Sequence, residues 1–121
     1  MNKYKPQLTK SRSWREIESW YLELIEEGLK YEPMLKLVNH IQITNLDKRL
    51  YAFTSLHKLV IGIYDEIEWN KEALHIEFDT ETRKWFFEYR SKPNEPVEFE
   101  RSYNESLGIE KLEQFINYIN W

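Results

Sequence analysis

The sequence contains no cysteine and only three glycines, Gly28, Gly62 and Gly108. Without cysteine the chain can form neither a disulfide framework nor a thiolate metal site, and it has no thiol nucleophile. It also has no glycine-rich loop that could hold a phosphate and no serine in a nucleophile elbow. These absences argue against phosphoryl-transfer enzymes, dinucleotide-dependent enzymes and serine or thiol hydrolases.

A long apolar run is also missing. The most apolar stretch, residues 50–63, is interrupted by Thr54, Ser55 and the pair His57-Lys58, so we expect no transmembrane helix and no membrane partner. The start of the chain, MNKYKPQLTKSRS, has no apolar segment and does not read as a secretory signal. We therefore expect a cytoplasmic protein.

Length and charge indicate a single domain with a basic extension. A chain of 121 residues, 41% of them hydrophobic and 31% charged, is long enough for one core but not for two. Residues 1–15 carry five basic side chains and no acidic one, so the net charge of −4 leaves −9 on residues 16–121. We predict a flexible basic arm over residues 1–12 and one domain over residues 13–121, whose negative charge favours a basic partner.

Three stretches show the three- and four-residue periodicity of an amphipathic helix. The first begins at a capping box formed by Ser13 and Glu16 and ends near Gly28, a residue suited to a left-handed cap. The second opens with a proline, which a first helical turn tolerates, but its later part, residues 37–43, also fits a strand. We predict helices at about residues 14–28, 32–41 and 109–119.

The middle of the chain is rich in aromatic and β-branched residues. Residues 50–56 and 59–64 flank a short polar stretch, which predicts either a tight hairpin or one long bent strand. Gly62 within the second run marks a β-bulge or a close approach of another backbone segment.

A clearer hairpin follows, because residues 74–78 and 85–89 alternate apolar and polar side chains around the turn at residues 79–82. Residues 97–103 resume the alternation after two prolines and predict a third strand of the same meander. The sequence therefore predicts an α+β two-layer sandwich, with an antiparallel β-meander of four to five strands covered on one face by the N-terminal and C-terminal helices.

The segment RKWFFEYR, residues 83–90, could stack nucleic-acid bases or line a core. Exposed strand aromatics stack bases when a positive groove accompanies them, but the acidic residues around this segment outnumber its basic ones. We predict that Trp85, Phe87 and Tyr89 face the terminal helix, that Phe86 lies on the opposite sheet face, and that the protein does not bind nucleic acid.

Titratable side chains do not form a recognisable catalytic or metal-binding set. His40, His57 and His75 lie on different predicted elements, and a catalytic zinc site needs three protein ligands. The carboxylates at residues 65–72 are dense, but sequence proximity does not place two of them across a cleft. We expect no metal, no cofactor and no enzymatic activity.

Three segments carry a resemblance to a known class: HIEFDTETRKWFFEYRSKP, then VEFERSY, and the terminal GIEKLEQFINYINW. In these segments, and in its size and acidity, the chain resembles the small immunity proteins that bacteria encode beside polymorphic or contact-dependent toxins. The resemblance implies a stoichiometric inhibitor that binds a cognate toxin, often a nuclease with a positively charged site.

Acidic and aromatic residues are the candidates for partner binding, because acidic patches steer a basic partner and aromatic side chains stabilise an interface. The predicted residues fall in two acidic patches and one exposed aromatic: Asp65, Glu66, Glu68, Trp69 and Glu72; Glu95, Glu98 and Glu100; and Phe86. The alternative interpretation of these charges is a surface that only keeps the protein soluble.

A second hypothesis for the function is a small-ligand-binding or enzymatic domain. Its pocket would lie between the sheet and the helices, with His75, Tyr89 and Arg101 converging on it. A deep pocket lined by strand aromatics would favour this hypothesis, and a closed core would favour protein binding.

Overall fold

The structure is a computed structural model that describes residues 9–67, 72–90 and 99–121. Three helices and seven strands follow one another along these residues. The helices are α1 (Trp14–Glu26), α2 (Glu32–Ile43) and α3 (Gly108–Ile119). The strands are β1 (Thr9–Lys10), β2 (Tyr51–Ser55), β3 (Lys58–Gly62), β4 (Glu66–Ile67), β5 (Ala73–Asp79), β6 (Lys84–Arg90) and β7 (Phe99–Asn104).

Helix α1 begins at the predicted capping box. The Ser13 hydroxyl accepts a hydrogen bond from the Glu16 backbone N–H at 3.1 Å, and the Glu16 carboxylate accepts one from the Ser13 N–H at 3.4 Å. The helix ends at Glu26, and Gly28 follows in the left-handed conformation with φ 96°. The predicted helix and its glycine cap are therefore confirmed, with the last helical residue two positions earlier.

Residues 37–43 are helical, which decides between the two interpretations of that stretch. Helix α2 carries its proline in the first turn, and its buried side chains recur at helical spacing. These buried residues are Pro33, Met34, Leu37, Val38 and Ile41.

Five strands form one antiparallel sheet in the order β2-β3-β5-β6-β7, so that each strand pairs with the next long strand along the chain. Strands β2 and β3 form a tight hairpin with a two-residue turn, Leu56-His57, and not one bent strand. The turn between β5 and β6 is held by Asp79, whose Oδ1 accepts the N–H groups of Glu81 and Thr82 at 2.8 and 3.2 Å. The predicted meander is confirmed.

The helices cover one face of this sheet. Trp85, Phe87 and Tyr89 of β6 are buried on that face, and the Tyr89 ring lies 5.3 Å from the Phe115 ring of α3. The α+β two-layer sandwich predicted from the sequence is therefore the fold. Within the described residues, no helix is both long and apolar enough to cross a membrane.

The N-terminal residues that the structure describes lie against the domain. Strand β1 pairs with β4, and the Arg12 N–H donates to the Ala52 carbonyl at 2.8 Å, beside the outer strand β2. Residues 1–8 of the predicted flexible arm lie outside the described residues. Gly62 pairs with Tyr51 in regular register, which excludes the predicted bulge. The Glu72 backbone does pass near it, but a Cβ at Gly62 would lie 3.5 Å from the Glu72 carbonyl oxygen, an ordinary contact distance that does not require glycine.

Candidate functional site

The sheet face that points away from the helices carries aromatic and charged side chains. The strand register aligns Phe53, Val60, His75 and Glu88 in one row across four neighbouring strands. Phe86 lies on the same face of β6 and is 40% exposed, as the alternation along that strand predicts. Val60 is only 2% exposed, so we refer to the other four residues, Phe53, His75, Phe86 and Glu88, as the open face of the sheet.

Charges around the open face are largely balanced. Arg90 Nε donates to Glu88 Oε1 at 2.6 Å, and Lys58 Nζ lies 4.0 Å from Glu77 Oε2. Glu100, a predicted binding residue, is exposed and lies directly opposite Glu88 in the β6–β7 register. The surface around Phe86 therefore combines an exposed aromatic ring with ion pairs and one additional carboxylate.

His75 occupies the middle of this face. Its partial burial lowers its pKa, and the nearby positive charges of Lys58 and Arg90 lower it further, whereas Glu88 acts in the opposite direction. The imidazole is therefore neutral at physiological pH and contributes an uncharged, half-buried ring to the open face.

The first predicted acidic patch contains two carboxylates that are bound within the domain. Asp65 Oδ1 accepts the Ser11 hydroxyl at 2.6 Å, and the Asp65 carbonyl accepts the Ser11 N–H at 3.0 Å. Glu72 Oε2 accepts the Tyr89 hydroxyl at 2.7 Å, which ties the start of β5 to β6. Both side chains therefore have structural contacts, although Asp65 also remains exposed.

Several predicted binding residues cannot be located on a surface. Glu68 and Trp69 of the first patch, and Glu95 and Glu98 of the second, lie outside the described residues. The backbone of Glu66 belongs to β4, where it pairs with Lys10. The predicted patches thus stay predictions, and only Asp65, Glu72, Phe86 and Glu100 have described side chains.

The polar trio proposed for a pocket between sheet and helices does not converge. Tyr89 points to the helix side and bonds Glu72, whereas His75 lies on the open face, because His75 pairs with Glu88 and the adjacent Leu74 pairs with Tyr89. Arg101 is exposed. The strand alternation therefore contradicts a site built from these three residues.

A surface cavity of about 540 Å³ does lie at one end of the sheet, where α2 begins and β7 leads into α3. Its lining includes Pro33, Lys36, Trp85, Glu105 and Ile109. The Trp85 indole N–H donates to the Glu105 carbonyl at 2.9 Å, so the one strand aromatic in the lining is already fixed. The volume lies within the range of small-molecule sites.

The three histidines occupy separate parts of the molecule. His40 Nε2 lies 2.6 Å from Glu113 Oε1 between α2 and α3, and His57 Nδ1 lies 3.0 Å from the Tyr31 hydroxyl. Across residues 9–67, 72–90 and 99–121, no group of three histidine or acidic side chains could hold a metal ion.

Sequence reasoning missed a surface formed by α1 and the turn between β2 and β3. Leu56 at this turn is 86% exposed, and the neighbouring His57 ring lies 6.5 Å from the Trp20 ring of α1. The available signal was the turn itself, since a two-residue hairpin usually contains glycine, asparagine or aspartate. The contact between the turn and α1 joins residues that are far apart in the sequence, so no local sequence pattern predicts it.

Comparison of the chain with protein-family models, with curated proteins and with solved structures finds no match. No relative therefore supplies a functional residue by analogy.

Proposed function

We propose that the protein is a non-enzymatic domain that binds another protein through the open face of its sheet. The observation that carries this proposal is the exposure of Phe86, 40%, on a face where the neighbouring carboxylates of Glu77 and Glu88 are ion-paired. A large aromatic side chain exposed on a strand favours burial against a partner, and aromatic residues are enriched at the centres of interfaces.

The closed core supports protein binding over ligand binding. Three inward aromatic side chains of β5 and β6, Phe78, Trp85 and Phe87, are each 1% exposed, and Trp85 contacts the other two edge to face. The helix-facing aromatic side chains therefore stabilise the fold and are not accessible to a ligand. The side chains available to a partner are those on the surface.

The proposed biological role is that of an immunity-type inhibitor acting in the bacterial cytoplasm on a cognate toxin. The charge of −9 on residues 16–121 supports it, because a negative protein associates faster with a basic nuclease-like partner. The resemblance of three sequence segments to immunity proteins points in the same direction.

A pull-down from the native cell with matched variants tests the proposal. Wild-type protein and Tyr118→Ser should retain one protein partner, whereas Phe86→Ser should reduce its recovery at least about tenfold, equivalent to about 1.4 kcal/mol. Tyr118 is a suitable control because it is an exposed aromatic, 80%, on α3, which covers the sheet face opposite to the open face. Equal recovery with Phe86→Ser would refute a role for the open face.

The cavity beside Trp85 supports a second candidate function, small-ligand binding. Native mass spectrometry of the purified protein should then detect a bound metabolite that is lost when Ile109, in the cavity lining, is replaced by Trp. A metabolite without any protein partner would favour this candidate and exclude the first.

A further inference from the structure

Leu56, at the tip of the β2–β3 hairpin, is unusual for a turn residue both in its backbone conformation and in its exposure. Leu56 has φ 56°, a left-handed conformation that bulky side chains adopt at a cost, and its side chain is 86% exposed. Asparagine or glycine would relieve the backbone strain and would remove the exposed apolar surface. A residue that breaks local rules in this way is a candidate for function.

The tip is held rigidly against the helix layer. The Tyr21 hydroxyl donates to the His57 carbonyl at 3.1 Å, and the Tyr31 hydroxyl hydrogen-bonds His57 Nδ1 at 3.0 Å. The His57 ring also contacts the Tyr31 ring edge to face, with centroids 5.1 Å apart. Leu56 is therefore presented from a fixed position, which lowers the entropy cost of binding.

Helix α1 places an acidic stripe beside this tip. Glu16, Trp20 and Glu23 of α1, and Glu27 directly after its last residue, follow one another at steps of four, three and four residues and so share one side of the helix. Trp20 is half-buried next to His57, and its indole N–H has no hydrogen-bond acceptor among the described residues. The contact between Trp20 and His57, the residue next to Leu56, therefore joins the stripe to the hairpin tip.

The carboxylates of this stripe differ from those on the open face of the sheet. Glu23 and Glu27 are exposed and form no ion pair with another described residue, whereas Glu77 and Glu88 each have a basic partner. Arg12 and Arg15 line the same groove as Glu16, Trp20 and Glu23, so positive charge offsets the N-terminal part of the stripe. The carboxylates without an ionic partner are therefore those of its C-terminal part, Glu23 and Glu27. An acidic helix face next to an exposed apolar side chain is complementary to a basic segment with an apolar position.

We infer that Leu56, Trp20, Glu23 and Glu27, which we call the tip surface, form a docking site for a lysine- or arginine-rich segment of a partner protein. The partner's apolar position covers Leu56, and its basic side chains pair with the α1 carboxylates. This inference goes beyond the proposed function, because it names a second surface and does not depend on the open face of the sheet.

Nuclear magnetic resonance with the full-length, ¹⁵N-labelled protein tests the inference. The probe is a synthetic amphipathic peptide of lysine, alanine and leucine, and the matched peptides replace every lysine by glutamate or every leucine by serine. The lysine-leucine peptide should shift the amide resonances of Leu56 and Glu23 and the indole N–H resonance of Trp20. The glutamate peptide should leave them unchanged, and the serine peptide should bind at least about tenfold more weakly.

Two variants separate docking from folding. Leu56→Asn should weaken peptide binding about tenfold while the thermal unfolding midpoint stays equal or rises, because asparagine tolerates positive φ. The double variant Glu23→Lys with Glu27→Lys should abolish the binding. Glu77→Lys, a charge reversal on the open-face side, and Phe86→Ser should leave it unchanged.

Three outcomes would overturn the inference. The resonances shifted by the peptide could belong to the open face, with Leu56→Asn having no effect on binding. The glutamate peptide could also bind as well as the lysine peptide. Sedimentation could instead show self-association that Leu56→Asn abolishes, which would make a second copy the occupant. The pull-down with Phe86→Ser tests only the open face, and the peptide titration tests only the tip surface. The failure of one proposal can therefore be distinguished from the failure of the other.

Discussion

Arg83 binds both carboxylate oxygens of Glu105, with Nε 2.9 Å from Oε1 and Nη2 3.0 Å from Oε2. The same guanidinium donates through Nη1 to the Lys30 carbonyl at 3.1 Å and lies 4.8 Å from the Phe78 ring centre. One side chain thus connects the β5–β6 turn with the α1–α2 loop and the β7–α3 junction. Arginine suits this role because its planar group donates in several directions.

Replacement of Glu105 by Gln should lower the free energy of unfolding at neutral pH. The hydrogen bond from Arg83 lowers the pKa of Glu105, so the contribution of the carboxylate is present above the ordinary glutamate pKa and is lost as pH falls through the lowered value. Urea unfolding should show that the difference between wild type and variant shrinks in acid. Glu81→Gln, on the exposed β5–β6 turn, is the control and should change little. A difference that does not depend on pH would contradict this account.

Gly108 should not tolerate alanine. A Cβ at this position would lie 2.3 Å from Cε2 of Trp85, a side chain that is 1% exposed and cannot move aside. We expect Gly108→Ala to cost about 1–3 kcal/mol despite the better helix propensity of alanine. Chemical unfolding measures this cost. The double variant with Trp85→Phe should cost less than the sum of the single changes, because phenylalanine lacks the clashing atoms.

Gly28→Ala provides the comparison for that prediction. Gly28 has φ 96°, but a Cβ at this position would meet no atom within 4 Å, so only backbone strain opposes the substitution. The expected cost is about 1 kcal/mol. The Trp85→Phe change should not alter this cost, and a shared rescue of both glycine variants would show that contact with Trp85 is not the cause.

Phe86 and Phe87 are neighbours with opposite surroundings, and their alanine variants should differ accordingly. Phe87→Ala removes a buried ring and should lower the free energy of unfolding by about 3–5 kcal/mol. Phe86→Ala removes an exposed ring and should cost under about 1 kcal/mol. Denaturant unfolding of the two variants checks the contrast, and similar costs would mean that the two sheet faces have been assigned wrongly.

Local patterns were enough to predict most of the fold. The capping box of Ser13 and Glu16 and the alternation around Phe86 depend on residues within a few positions of each other, and both are present in the structure. Residues 37–43 fitted two structures, and burial against the rest of the core favours the helix. Periodicity alone could not make that choice.

The candidate sites were harder to predict because they depend on distant contacts. From the sequence, Glu72 was expected to be an acidic surface residue, but its carboxylate accepts a hydrogen bond from the hydroxyl of Tyr89, 17 residues away. Leu56 was predicted to be the last residue of a strand. Its position near α1 follows from the hydrogen bond between the Tyr21 hydroxyl and the His57 carbonyl, residues that are 36 positions apart. Dense carboxylates in the sequence do not indicate which of them lack partners in the fold.

His75 should make the protein less stable as the pH falls below neutrality. Burial lowers the pKa of His75 in the folded state, so the unfolded chain binds a proton first and stability is lost as pH falls through the range between the unfolded and folded pKa values. The ring titration followed by nuclear magnetic resonance should have a midpoint below about 6.5, the ordinary histidine value. His75→Thr, which places a β-branched residue suited to a strand at this position, should lose less stability than wild type between about pH 7 and pH 5. A midpoint above the ordinary value would mean that Glu88 outweighs burial, and the open face would then carry a positive charge at its centre.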